Sequence, residues 1–475
     1  MFYNMVYLKS RSQEIEVPEA TPFANDKLER FGLCNILTDV VSFYGQSGCV
    51  MGLDGEWGSG KTTFVKMWSQ HLKNNGYKTL YFNAWISDYT EDPLMALISE
   101  LRELSTDTDT INEIATGAVR IGLSALKGML KNTTGVDCDA IHNAIDETFN
   151  IGKEYLKKYS EQKTTLDDFK KNIHKFVADN AGEHPVIFFV DELDRCNPRY
   201  AVAVLERIKH LFEIPNIIFI LAINKRELSN AIQGYYGSSK IDSDEYLRRF
   251  IDIDYKLPKP PIRAYCDFLF EEYRFDEFFK STQRLMHFRT DNEDETFKSL
   301  AVSMCEAMNV NLRQMDRVFA YSRLALMQFA SNTYLLPDVY FMLCFWKVTD
   351  ASFYNQISDK AYTVQELLSK LEEKLPVSLF QNEHHYYTRN IVFAIACLLY
   401  CYDITGPENY PIKRTLKSVK NETTGKNEFN IQSKSINKET LDDAFNWYYQ
   451  GYSKNTQYGL RFILQRIDLL HSFSS

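Results

Sequence analysis

The sequence predicts an α/β fold with a mostly parallel sheet and a helical insertion, followed by a mainly α-helical C-terminal region. Two observations carry this. Strand-like runs at Ser47 to Leu53, Thr79 to Trp85, Pro185 to Val190 and Asn216 to Ile223 alternate with stretches of helical periodicity. Continuously apolar runs suit strands buried on both faces, and helices between strands suit parallel connections. The second observation is Pro258-Lys259-Pro260-Pro261, after which the sequence reads as helix. Proline neither donates to a ladder nor continues a helix, so a domain boundary is predicted there.

Taken in order, residues 1–45 read as an arm and one helix, and residues 46–257 as the α/β core. Ser47 to Leu53 runs into a glycine-rich turn. A helix from Lys61 to Leu72 follows, with Phe64, Val65, Trp68 and Leu72 on one face. Residues 91–180 are helical and charged without a repeat, and about 104–180 form an insertion. Asn197 caps a helix that begins at Pro198. Its apolar face is Val204, Leu205, Ile208, Leu211 and Phe212. Beyond the prolines, residues 262–345 read as a helical lid region and 346–475 as a helical C-terminal region. Within the latter, polar, turn-rich residues 408–440 read as a loop or mobile hairpin.

Composition narrows the classes. The chain has 475 residues, 45% hydrophobic and 25% charged, enough for more than one folded domain. A net charge of −9 gives no support for a general nucleic-acid binder. Nine scattered cysteines lack zinc-ribbon spacing, which fits a reduced, cytoplasmic compartment. Cys397 and Cys401 lie four apart in an apolar run, on one face of a core helix. Met1 to Ser12 has no apolar stretch of the secretory kind. The longest apolar run, Ile391 to Tyr402, falls short of the roughly 20 residues that span a bilayer. Arg120 and Lys127 interrupt Ile111 to Leu130, which reads as a soluble helix. No transmembrane segment is expected.

The chemistry is written in Gly55-Glu56-Trp57-Gly58-Ser59-Gly60-Lys61-Thr62, which fits G-x-x-x-x-G-K-[ST] between a strand and an amphipathic helix. Glycines let such a loop curl so that backbone N–H groups point at phosphates, and the helix N-terminus adds positive charge. Lys61 reaches the β and γ phosphates and the Thr62 hydroxyl ligates Mg²⁺; Thr63 completes the nucleotide-binding stretch. At the end of the apolar run Val186 to Val190 stand Asp191, a second Mg²⁺ ligand, and Glu192, placed to orient and deprotonate a water. Asp194 and Arg195 either pair with each other or shape the neighbouring turn. Asn224 ends the next strand. There it either hydrogen-bonds the water or γ-phosphate, or caps the helix that starts at Lys225. Together these residues define a P-loop nucleoside triphosphatase. Asn224-Lys225-Arg226-Glu227 lacks the aspartate of the guanine-specific N-K-x-D pattern, which favours ATP.

With these residues the chain resembles the KAP family of P-loop NTPases. Asp26-Lys27-Leu28-Glu29-Arg30 resembles the family's leading segment, and Gly52 to Thr62, tryptophan included, its phosphate loop. Phe82-Asn83-Ala84-Trp85 resembles its second-strand signature, Asp191-Glu192-Leu193-Asp194-Arg195-Cys196 its acidic box, and Tyr246-Leu247-Arg248-Arg249-Phe250 its YL-basic element. The resemblance covers about residues 20–345. It implies an additional-strand, catalytic-glutamate architecture with a long insertion between the two nucleotide motifs. It implies that Arg248 or Arg249 meets a γ-phosphate, in cis or across a subunit interface, and that Arg313 supplies a lid arginine. Solvated or salt-bridged helix arginines are the plain alternatives. Many relatives carry two transmembrane helices in the insertion, and none is readable here. Some bacterial members exclude bacteriophage.

Glu383-His384-His385 lacks a surrounding ligand cluster and reads as non-metallic. Phe341 to Trp346 reads as helical core. No nuclease, protease or deaminase pattern stands out, so any effector chemistry is expected on a protein partner or in assembly of a homo-oligomer. The function expected is an ATP- and Mg-dependent cytoplasmic switch. A nucleotide-binding scaffold with negligible hydrolysis and a nucleic-acid remodeller are the alternatives.

Overall fold

The computed structural model describes residues 15–90, 92–104, 110–118, 167–211, 214–238, 241–288, 292–380, 386–404, 415–422, 425–452 and 460–468. Most of the predicted insertion and the Glu383-His384-His385 run lie outside these residues. Of the described residues, those before Pro260 form one compact unit and those from Pro260 onward another.

In the first unit, α1 (Phe31–Phe43), β1 (Cys49–Asp54), α2 (Lys61–Asn74), β2 (Thr79–Asn83) and α3 (Pro93–Glu100) come first. Helical residues 110–118 (α4) and 167–181 (α5) follow. Then come β3 (Val186–Asp191), α6 (Pro198–Leu211), β4 (Ile217–Ile223), α7 (Lys225–Tyr236), α8 (Ser243–Leu247) and β5 (Ile253–Lys256). The strands form a parallel sheet of order β2-β3-β4-β1-β5.

Alternation within the apolar strands feeds two cores, because successive side chains leave a strand on opposite faces. Ile187, Phe189, Ile218 and Ile220 pack with Cys34, Leu37 and Val41 of α1 and Phe64 and Trp68 of α2. Phe188, Val190, Phe219 and Leu221 pack with Leu97 of α3, Leu205 of α6 and Leu228 of α7. Phe169, Ile173 and Ile111 of α5 and α4 join this second core. The helix predicted in the arm is therefore part of the first unit, held by its apolar stripe.

The second unit contains α9 (Ile262–Glu272), α10 (Asp276–Phe279), α11 (Thr282–Phe288), α12 (Glu293–Ala307), α13 (Leu312–Leu326), α14 (Pro337–Thr349), α15 (Ala351–Ser358) and α16 (Val364–Lys374). It continues with α17 (Tyr386–Ile404), β6 (Ser418–Lys420), β7 (Asn427–Phe429), α18 (Lys438–Tyr452) and α19 (Leu460–Asp468). Helix α14 is buried all round at Tyr340, Phe341, Met342, Leu343, Cys344, Phe345 and Trp346, and packs against α12, α13 and α17. Such a helix needs neighbours on every side, so the lid and C-terminal stretches share one core. Apolar Ile391 to Tyr402 lies in α17 and is buried in the same way. No described helix is long and apolar enough to cross a membrane. Within 408–440, β6 and β7 pair as an antiparallel hairpin. The Glu372 carboxylate accepts Lys434 and Ser435 N–H at 3.0 and 2.9 Å, tying the following stretch to α16.

Candidate nucleotide site

Strand register brings the site together. Asp54 of β1 pairs with Ile223 of β4, and Asp191 of β3 pairs with Ala222 of β4 and Asn83 of β2. The loop after Asp54, the acids at 191–192 and Asn224 therefore emerge on one edge of the sheet, at the C-terminal ends of the strands. Ligands of open parallel sheets bind at that edge. Asn83 ends β2 sooner than expected: its side-chain oxygen accepts Ile86 N–H at 3.2 Å, Ser87 N–H donates to the Ala84 carbonyl at 3.2 Å, and the chain turns. Trp85 lies in that turn and is exposed.

The phosphate loop is built by glycine conformations. Gly58 and Gly60 have φ of 75° and 82°, the left-handed region that costs other residues most. A Cβ at Gly55 would sit 2.9 Å from Ser59 Oγ, so only glycine leaves the cradle open. Ser59 Oγ is buried without a hydrogen-bond partner among the described residues. Lys61 opens α2 and is itself buried. Its ammonium folds back to donate to the Gly55 carbonyl and, at 3.1 Å, to the Glu56 carbonyl. Burial pulls its pKa down, opposed by Asp194, Asp191, Asp54 and Glu192. A desolvated cation, an orphaned hydroxyl and a helix N-terminus fit an entering polyphosphate.

Asp191 is almost wholly buried. It accepts the Tyr81 hydroxyl at 2.9 Å and Glu192 N–H at 2.8 Å, and it is hydrogen-bonded by Thr62. Burial pushes its pKa up, opposed by these hydrogen bonds and by Lys61. Among the described residues no group of three or more His, Cys, Asp or Glu could hold a metal. One hydroxyl and one carboxylate, with phosphate and water for the remaining positions, is a donor set that fits Mg²⁺ rather than a metal needing an all-protein cage.

Glu192 has φ 63°, strained for a residue with a side chain. A 3₁₀ turn, Leu193–Arg195, follows it. That turn places residues three apart on one side, and Arg195 Nε meets Glu192 Oε2 at 2.5 Å. Asp194 instead accepts the indole N–H of Trp57 from the phosphate loop. The two residues that sequence left open thus part company: Asp194 grips the loop and Arg195 grips Glu192. The Arg195 guanidinium also lies 5.7 Å from the Trp85 ring centre. Asn224 caps α7, its side chain accepting Glu227 N–H at 3.4 Å.

Arg248 and Arg249 stand apart from this cluster. Arg248 is 73% exposed in its side chain and pairs with Glu245 at 3.3 Å; Arg249 is exposed beside it. Both precede β5, whose first residue pairs with Met51, so they approach the sheet from the edge opposite the phosphate loop. Arg313 is exposed in the first turn of α13, in the second unit, behind an Asn311–Gln314 capping box.

Sequence reasoning gave Arg30 no role. Its guanidinium is buried and donates to the Ser59 and Gly60 carbonyls at 2.8 and 3.2 Å. Asp26 holds the turn beneath it by accepting Leu28 and Arg30 N–H. Desolvation brings its pKa down to about 10, still far above neutrality. The signal was the arginine at the end of the Asp26 to Arg30 segment, which sequence reading placed beside the adenine without giving the arginine a task of its own. Arg30→Ala is expected to cost about 2 kcal/mol or more in denaturant unfolding, since two charged hydrogen bonds are lost and carbonyls are orphaned. An unchanged midpoint would remove the clamp. Tyr81 was also missed; it lies in the edge strand β2, one strand away from the acid it hydrogen-bonds.

A glycine cradle with a buried lysine, facing a strand-end acid paired with the first-turn threonine, defines a P-loop nucleotide-binding domain. The KAP family P-loop domain matches residues 33–322, more than half of the chain. The chain belongs to the KAP family of P-loop NTPases. It is 21% identical over 254 residues to the Phage T7 exclusion protein of Escherichia coli (strain K12), covering 49% of this chain. The match spans about a third (34%) of that relative's length. Solved structures with similarity include the Aeropyrum pernix ORC2 protein in ADPNP-ADP complexes, at TM-score 0.34 and 14% identity, covering 89% of this chain and 95% of that one. AMPPCP-bound DnaA from Aquifex aeolicus has TM-score 0.23 and 10% identity, with 73% and 93% covered.

Proposed function

We propose that the protein hydrolyses ATP with Mg²⁺ and uses the cycle as a switch, working as a homo-oligomer in the cytoplasm. The observation that carries this reading is the Thr62–Asp191 hydrogen bond, with Glu192 next in the chain. It joins the two halves of a hydrolytic site across the sheet edge. Backbone N–H groups of the loop and Lys61 bind and orient the polyphosphate. Thr62 and Asp191 would hold Mg²⁺, which supplies neutralisation of phosphate charge when bound. Glu192 takes the proton of the attacking water, and Lys61 stabilises negative charge on the transferring group.

The phage-exclusion relative supports a role in anti-phage defence, with the trigger or effector on a protein partner. One observation favours a second reading, a nucleotide-binding scaffold: the Glu192 carboxylate is tied to Arg195. Phosphate release from ATP by the purified protein, with Mg²⁺ and with a chelator, separates the two. Mg²⁺-dependent turnover is expected; tight ATP binding without turnover would favour the scaffold.

A further inference from the structure

We infer that Arg195 is a latch that holds Glu192 out of use until nucleotide fills the phosphate loop. The inference deepens the proposed function and rests on Glu192 being the base. Its grounds are the contacts around one 3₁₀ turn. Arg195 Nε is 2.5 Å from Glu192 Oε2, and both side chains are mostly buried, at 26% and 15% exposure. The turn itself is closed by Arg195 N–H on the Glu192 carbonyl at 3.2 Å. The Trp85 face lies beside the guanidinium and limits where it can move. The contact is an ion pair rather than a hydrogen bond, and a cation this close favours the charged carboxylate and opposes its taking a proton from water.

The same turn is wired to the phosphate loop. Trp57, four residues before Lys61, donates to Asp194, one of the two residues between the latch partners. Lys61 now rests on the carbonyls of Gly55 and Glu56, directly before Trp57. Polyphosphate binding draws Lys61 off those carbonyls and resets the loop around Trp57. The pull passes through Asp194 to the turn and loosens Arg195 from Glu192. The strained backbone at Glu192, φ 63°, makes the latched arrangement one that contacts must maintain. Arg195 is thus a positioning residue, acting through Glu192.

Opening the latch draws on binding free energy, so removing it tightens nucleotide binding by the factor the closed state withholds. The probe is the Mg²⁺ complex of β,γ-methylene ATP, titrated calorimetrically at fixed salt. Arg195→Ala is expected to bind it roughly tenfold more tightly than the parent. In a Glu192→Gln background, where the anion that holds the guanidinium is gone, adding Arg195→Ala is expected to change affinity less than about twofold. Arg195→Lys, which keeps the charge but loses the planar fork, is expected to fall between parent and alanine, and it serves if the alanine variant fails to fold. Weaker binding on loss of Arg195 in both backgrounds would overturn the latch and leave a cation that merely attracts the nucleotide. Unchanged turnover in Glu192→Gln alone would remove the base assignment while leaving these affinities to judge the latch.

Discussion

Glu192→Gln is expected to bind ATP and to turn it over roughly 10²-fold or more slowly than the parent, the usual scale for losing a general base. Glutamine keeps the size and leaves Asp191, Thr62 and Tyr81 as they are. Asp191 is held by Glu192 through its backbone N–H, which the substitution does not touch. The effect therefore isolates proton removal from metal and phosphate binding. Because glutamine also weakens the tie to Arg195, affinity is expected to hold or rise. Full activity in this variant, read as phosphate release under saturating ATP and Mg²⁺, would end the assignment of Glu192 as base.

The second large effect concerns Arg248 and Arg249. Changing both to alanine is expected to lower turnover while leaving the fold intact, since Arg248 makes an exposed pair with Glu245 and such pairs contribute little to stability. Both lie ahead of β5, on the edge of the sheet opposite the phosphate loop of their own chain. Under the proposed homo-oligomer, the phosphate such an arginine would stabilise is one held by the loop of a second copy. Mixing the double-arginine variant with Glu192→Gln is then expected to restore activity, because one mixed interface carries an intact base and an intact arginine. No restoration, with a monomeric mass under ATP and Mg²⁺, would refute the shared site and leave a monomeric switch.

How much of this was legible varies with the kind of contact. Strands β3 and β4 stood out because burial on both faces removes polar residues from them. Strand β5 was not readable: Ile253–Lys256 is four residues long at the sheet edge, with only alternate side chains partly covered. The phosphate loop and Asp191 were legible because spacing and flanking elements are local. The end of β2 at Asn83 was not, because Ala84 and Trp85 continue the apolar run while the asparagine side chain turns the backbone by accepting Ile86 N–H. The same limit hid the Trp57–Asp194 bond, which joins residues 137 apart. Arg195 showed the opposite difficulty. Its partner was three residues away, but choosing Glu192 over Asp194 depended on a 3₁₀ turn that the sequence Leu193-Asp194-Arg195 does not announce.

Whether Lys61 and its loop form the nucleotide site is decided by calorimetric titration of ATP with Mg²⁺ into the parent and Lys61→Ala proteins. Among the described residues the Lys61 ammonium donates to two loop carbonyls and to no core group, so the alanine variant is expected to fold. Loss of a charge-assisted contact to phosphate is expected to weaken binding by about 2 kcal/mol or more, some thirtyfold in affinity. Saturable binding by the parent and this loss in the variant are the predicted result. Equal affinity in the two proteins would place the nucleotide elsewhere.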